Sequence, residues 1–165
     1  MDNQKVYFAK VKEGAIIPSK RVEDGAFDIY ACFDEAYIEI APHETKMIPT
    51  GIASAFSSRY VAILKERGST GVKGMGQRAG VVDSGYRGEW FVPITNHNAK
   101  PLVIMKADCT AFEGRQDVMI YPYEKGISQC LMVEVPQLAT EELSYEALME
   151  FKSERGTGRL GSSGK

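Results

Sequence analysis

The chain has 165 residues, 44% of them hydrophobic and 25% charged, enough for one ordinary buried core with no second domain required. Twenty Lys and Arg stand against 22 Asp and Glu, so no global positive field marks stable nucleic-acid binding, although a few local cations could hold an anion. Three scattered cysteines (Cys32, Cys109, Cys130) without a CxxC pair and two histidines (His43, His97) not spaced as ligands argue against a disulfide framework and a zinc site, and the lack of a signal-peptide core or membrane-length run predicts a cytoplasmic protein with no membrane partner.

Short apolar and β-branched runs recur along the chain at Val6 to Val11, Phe27 to Phe33, Tyr37 to Ile40, Met47 to Phe56 and Tyr60 to Leu64. They continue at Trp90 to Thr95, Leu102 to Met105, Val118 to Tyr121 and Ile127 to Val135, with Gly, Pro, Asn or Asp near most breaks. This pattern predicts an all-β barrel or sandwich over residues 1–138. Residues 139–154 read as a linker carrying the one helical candidate, Glu141 to Lys152 entered from Thr140, with ragged apolar spacing. Residues 155–165 hold four glycines and almost nothing to bury, which predicts a flexible arm.

Five stretches carry more chemistry than packing requires. The run Gly80-Val-Val-Asp-Ser-Gly-Tyr-Arg-Gly-Glu-Trp90, resumed by Phe-Val-Pro-Ile, reads as a β-hairpin whose turn carries Asp83, Tyr86 and Arg87. Its glycines let backbone amides and carbonyls stand free at close range, a pocket for a flat hydrogen-bonding ring; alternatively, Asp83 only opens the turn and Tyr86 fills a half-buried strand position. Asp24-Gly-Ala-Phe-Asp28 places a carboxylate within a strand pattern, either solvent-facing or functional. Glu66-Arg67-Gly68-Ser69-Thr70-Gly71 offers a cation, hydroxyls and flexible backbone, the makings of an anion cradle, but without Walker A spacing. Gln129 enters an apolar strand and needs a partner from a ligand or a core network. The Arg155-to-Lys165 arm is the fifth.

In this order and spacing the five stretches resemble the motifs of the homotrimeric dUTPase (deoxyuridine 5'-triphosphate nucleotidohydrolase) family, over nearly the whole chain. The resemblance implies an all-β, jelly-roll-like (β-clip) barrel with a C-terminal arm, hydrolysing dUTP to dUMP and pyrophosphate, which limits uracil incorporation into DNA and supplies dUMP for dTMP synthesis. It implies that Asp83 is the general base for water attack on the α-phosphorus, and that backbone groups from Gly80 through Val82 to Tyr86 read uracil while Tyr86 excludes a ribose 2′-hydroxyl. Arg67, Gly68 and Ser69 would hold phosphates, and Gln129 would sit by the α-phosphate. Arg155, Leu160, Gly161 and Ser162 would close over the substrate. Mg²⁺ would ride on the triphosphate with Asp28 acting through water, and each site would be built from three subunits.

The chain departs from the family pattern in three places. The family commonly reads Arg-Ser-Gly where Arg67-Gly68-Ser69 stands, which moves the hydroxyl to Ser69; Leu160 replaces the usual aromatic; and an insertion near 97–120 could have a function such as taking a protein partner, or be disordered. Two rivals remain at this point. A dCTP deaminase shares the hairpin but needs a glutamate where Pro93 stands, and a non-catalytic or dual-role relative would use the scaffold for regulatory binding.

Overall fold

The computed structural model describes residues 2 and 4–159. Their strands are β1 (Tyr7–Lys10), β2 (Phe27–Ile29), β3 (Tyr37–Ile40), β4 (Thr45–Pro49), β5 (Ile52–Ala55), β6 (Tyr60–Lys65), β7 (Met75–Gln77), β8 (Val81–Val82), β9 (Phe91–Asn96), β10 (Leu102–Met105), β11 (Met119–Pro122) and β12 (Ser128–Glu134), with two short helices, α1 (Gly68–Gly71) and α2 (Tyr145–Met149). The ladders run β2-β12-β6-β8, β4-β9-β7, β11-β10-β3 and β1-β5. The all-β expectation therefore holds, and among the described residues no helix is long and apolar enough to cross a membrane.

Burial explains why these segments pair. One cluster gathers Ile29, Ile40, Ile48, Leu64, Trp90, Ile94, Leu102 and Ile104, each almost wholly removed from water, so side chains from all the larger sheets share one interior. Each fully buried aliphatic or aromatic side chain contributes roughly 1.5–3 kcal/mol relative to exposure. Trp90 anchors the centre, with the Phe8 ring meeting it edge-on at 5.6 Å.

The fold corrects four expectations. Val81–Val82 and Phe91–Asn96 do not form a hairpin ladder: β8 pairs with β6, whereas β9 lies between β4 and β7. The apolar run 47–56 breaks at Gly51, whose φ of +66° turns the chain from β4 into β5, and an added Cβ there would meet Ala15 and Cys32 at 2.8 and 2.9 Å. The ladder of β2 stops at Ile29, although Cys32 N–H still donates to Pro49 O at 2.8 Å. The helix expected over 141–152 shrinks to Tyr145–Met149, capped by Ser144 Oγ accepting from Ala147 N–H at 3.1 Å; no residue of it is buried, and so short a helix gains little without packing.

Residues 97–120, expected to be an insertion, contain β10 and the start of β11. β10 pairs antiparallel with β3 and parallel with β11, and a parallel return needs a crossover of about a dozen residues, which residues 106–118 supply. Phe112 from that crossover packs with Val103 and Val118 and meets the Tyr37 ring edge-on at 4.7 Å.

Candidate functional site

The first half of the site is the turn after β8. Gly80 has φ +107°, and a Cβ there would lie 2.8 Å from Leu64 O, so only glycine lets this backbone approach β6. Leu64 N–H donates to Gly80 O at 2.7 Å, which fixes where β8 begins. The chain then reverses over Asp83 to Tyr86, closed by Tyr86 N–H donating to Asp83 O at 3.1 Å. Tyr86 OH donates to Glu89 O at 3.0 Å, and its ring lies so close over Gly88 that a side chain there would collide with it. Arg87 is not a free cation: its Nη1 donates to Ser84 O at 2.6 Å, with Tyr86 O and Ser54 O also in reach.

Residues 89 and 90, leaving the turn, pin it to the core. Gly51 N–H donates to Glu89 Oε1 at 2.8 Å, Trp90 N–H to Ile52 O at 2.8 Å, and Thr50 Oγ1 to Trp90 O at 2.6 Å. The result is a hollow of about 280 Å³ whose walls include Leu64, Gly80, Val82, Asp83, Tyr86 and Phe91. Asp83 and Tyr86 are accessible to solvent on a firmly held backbone.

The second half is polar. Gln129 on β12 faces Asp28 on β2 and Lys65 on β6 as ladder partners, so three strands bring their polar side chains to one place. Arg67 clamps Asp28 with Nε and Nη2 at 2.8 and 3.1 Å, and its Nη1 donates to Gly126 O at 3.1 Å. Gln129 Nε2 donates to Glu66 O at 2.8 Å, which is the partner its strand position demanded. Of the two hydroxyls in the Arg67 loop, Thr70 is buried and bonded to the Arg67 backbone at 2.9 and 3.0 Å, leaving Ser69 exposed and 3.5 Å from Arg67 Nη1. Asp28, Arg67, Gly68, Ser69 and Gln129 thus line one cleft of about 570 Å³.

Two titrating groups adjoin cleft residues in the chain, Glu66 before Arg67 and Cys130 after Gln129. The Gln77 N–H, 2.7 Å from Oε1, holds the Glu66 carboxyl below its ordinary value despite partial burial. Burial pushes the Cys130 thiol up to about 12, so the cysteine beside Gln129 stays protonated and inert at neutral pH.

Every expected core residue of the site falls in one of the two concavities, but the two share no lining residue. Arg155 is exposed, and among the described residues its side chain bonds within its own segment, Nε donating to Gly158 O at 3.1 Å and Nη2 to Arg159 O at 3.4 Å. Leu160, Gly161 and Ser162 lie outside the described residues. Sequence reasoning missed Arg21 and Glu23, which line the polar cleft, and Phe91, which walls the apolar one. The charged run Lys20-Arg21-Val-Glu23-Asp24 just before Asp28 was the available signal for the former.

Comparison with known proteins agrees with this geometry. A bacteriophage 80alpha dUTPase of Staphylococcus, a G164S mutant with dUpNHpp, superposes with a TM-score of 0.77 at 18% identity, covering 98% of this chain and 99% of that one, a likeness of fold. The deoxyuridine 5'-triphosphate nucleotidohydrolase of Gloeobacter violaceus is 31% identical over 144 residues, 86% of this chain and 83% of that protein. The same-named protein of Neisseria meningitidis serogroup C is 31% identical over 154 residues, 90% and 87% of the two chains. Since the dUTPase family model also matches residues 12–112, through both Asp28 and the Asp83 turn, the chain belongs to the dUTPase family.

Proposed function

We propose that this protein hydrolyses dUTP to dUMP and pyrophosphate, removing a precursor of uracil in DNA and supplying dUMP for dTMP synthesis. The observation that carries the reading is the pairing of a glycine-shaped hollow bearing Asp83 and Tyr86 with a separate polar cleft bearing Arg67, Ser69 and Gln129, in a chain of this family. The hollow takes the nucleoside. Backbone groups from Gly80 to Tyr86 match uracil's N3–H donor and O4 acceptor; cytosine inverts both, and each buried group left unpaired costs about 1–3 kcal/mol. The Tyr86 ring lies against deoxyribose where a 2′-hydroxyl would need room. Asp83 accepts the proton of the attacking water in line with the α-phosphorus.

The polar cleft takes the phosphates, with Arg67 and the exposed Ser69 hydroxyl as donors and Gln129 beside the α-phosphate. Its donor set fits magnesium only through water and phosphate: Asp28 offers hard oxygens that Arg67 already engages, and no group of three or more His, Cys, Asp or Glu among the described residues could hold a metal. When bound, Mg²⁺ supplies positive charge to the triphosphate oxygens. Pro93 on β9 has no proton to transfer, which disfavours a deaminase.

The separation of the two halves supports a composite site. Val82 and Gln129 sit two strand spacings and three residues of register apart, with Asp83 one residue farther, so sheet geometry puts Asp83 roughly 15 Å from Gln129. That span is long for both side chains to reach one phosphorus within a single chain, and it favours a site shared between chains. A homotrimer in which one protomer's hollow faces its neighbour's cleft, with a third chain's Arg155, Leu160, Gly161 and Ser162 closing over both, brings them together. Two measurements test this: pyrophosphate release from dUTP with Mg²⁺, with dCTP and ammonia release as the comparison, and molar mass by light scattering. A monomer with full activity, or ammonia from dCTP, refutes the reading.

A further inference from the structure

We propose that Arg21 is a second cation of the phosphate cleft and takes the outermost phosphate of the triphosphate by exchanging partners with Asp24. The inference rests on the reading of this cleft as the phosphate half. Arg21 and Asp24 line the same hollow as Arg67, Ser69 and Gln129. Arg67, at 28% exposure, is the deeper cation, and bonds from Nε and Nη2 to Asp28 and from Nη1 to Gly126 O leave only its two remaining N–H groups for a phosphate. Arg21, at 88% exposure, stands nearer the solvent side, where the end of a phosphate chain emerges.

The loop holding Arg21 is closed by its own bonds. Arg21 N–H donates to Asp24 Oδ2 at 3.1 Å, Asp24 N–H to Arg21 O at 3.2 Å, and Lys20 Nζ to Asp24 O at 2.8 Å. Within it the guanidinium forks onto Asp24, Nε to Oδ2 and Nη2 to Oδ1, both at 2.9 Å. A fork shaped for a carboxylate also fits a phosphate, and an exposed ion pair contributes little stability, so handing the fork to a phosphate carrying more charge costs little. Charge points the same way. The cleft's own cations, Arg21 and Arg67, are outnumbered by Glu23, Asp24 and Asp28, so a triphosphate entering it needs every available guanidinium.

The exchange predicts opposite effects from the two partners. Titrate wild type, Arg21→Ala, Arg21→Lys and Asp24→Asn with non-hydrolysable α,β-imido-dUTP and with dUMP, in Mg²⁺, by calorimetry. Arg21→Ala should weaken the triphosphate analogue about tenfold, Arg21→Lys less, and Asp24→Asn should tighten it, all with dUMP affinity unchanged. A merely structural pair would move both variants the same way and shift dUMP too. Unchanged analogue affinity in Arg21→Ala, or parallel losses in Arg21→Ala and Asp24→Asn, overturns the inference while wild-type binding leaves the proposed function standing. Failure of wild type to bind the analogue overturns both.

Discussion

Gly80→Ala tests whether the backbone of the turn, more than its side chains, shapes the proposed nucleoside pocket. The φ of +107° at this position is strained for any L-residue, at about 1–3 kcal/mol. The new methyl would lie 2.8 Å from Leu64 O, a backbone atom held in the β6 ladder that cannot swing aside. Relief requires β8 to retreat, which stretches the 2.7 Å bond from Leu64 N–H to Gly80 O, worth about 0.5–1.5 kcal/mol. Together these effects destabilise by roughly 2–4 kcal/mol, and at roughly 2–4 °C per kcal/mol for a domain of this size Tm should fall by about 5–15 °C. Gly85→Ala is the matched control, since a Cβ there meets nothing within 4 Å and its φ is not positive. Calorimetric melting of both variants at one fixed protein concentration reads the difference. A Gly80→Ala protein melting within about 1 °C of the Gly85→Ala control would show that the turn tolerates a side chain and that the pocket is not shaped by this close approach.

Asp83→Asn should keep affinity for the dUTP analogue and lower turnover by about 10²–10⁴-fold or more, since the amide retains the volume but accepts no proton; near-normal turnover by the folded variant rejects Asp83 as the base. Tyr86→Ala should raise activity on UTP relative to dUTP, because the ring held by Glu89 O is the proposed barrier to the 2′-hydroxyl; an unchanged ratio in competition assays removes that role. Truncation after residue 154 should leave Tm nearly unchanged, since the described part of the arm buries nothing, yet depress turnover strongly by removing Arg155 and the proposed cover over the triphosphate. Equal turnover in the truncated and full-length proteins would show that the arm takes no part.

Local pattern revealed what local forces decide. Tyr37–Ile40 and Leu102–Met105 are bounded in the sequence as in the fold, because each is an apolar run closed by turn residues. Met75–Gln77 escaped notice, since Met-Gly-Gln has no alternation; it becomes a strand only through pairing with β9 and the Glu66 carboxylate on Gln77 N–H. The hairpin reading failed for the same reason. Val81–Val82 and Phe91–Asn96 flank a genuine turn, but their choice of β6 and β4 as neighbours is made by residues far off in the chain. The site shows both sides. Asp28, Arg67 and Gln129 were each legible as polar residues out of place, and the register pairing Gln129 with Asp28 and Lys65 explains why three distant stretches share one cleft. Arg21 and Glu23 were signalled only by the charged run before Asp28, a weak cue because charged loop residues ordinarily face water, and it is the folded loop that places them in the cleft wall.

That cleft also leans on Glu66, and its dependence on pH can be signed. The carboxylate accepts from Gln77 N–H at 2.7 Å, while the Glu66 carbonyl accepts from Gln129 Nε2 at 2.8 Å, so one residue ties β6 to β7 and orients the glutamine. Its folded-state value lies below the ordinary 4.5, first because of the Gln77 N–H bond, so the folded protein favours the charged form more than the unfolded chain does. The stabilisation is therefore complete above the unfolded value and is lost as pH falls through the folded one. Glu66→Gln retains an acceptor oxygen but no charge. A charge-assisted bond exceeds a neutral one by about 1 kcal/mol, so the variant should melt roughly 2–4 °C below wild type at pH 7. As pH drops below the folded value, wild type loses the same charge and the two melting temperatures should converge. Other carboxylates titrate in both proteins and cancel in the difference. A gap that stays constant from pH 7 to pH 3, or no gap at pH 7, would mean that the Glu66 charge does not hold β7 against the cleft.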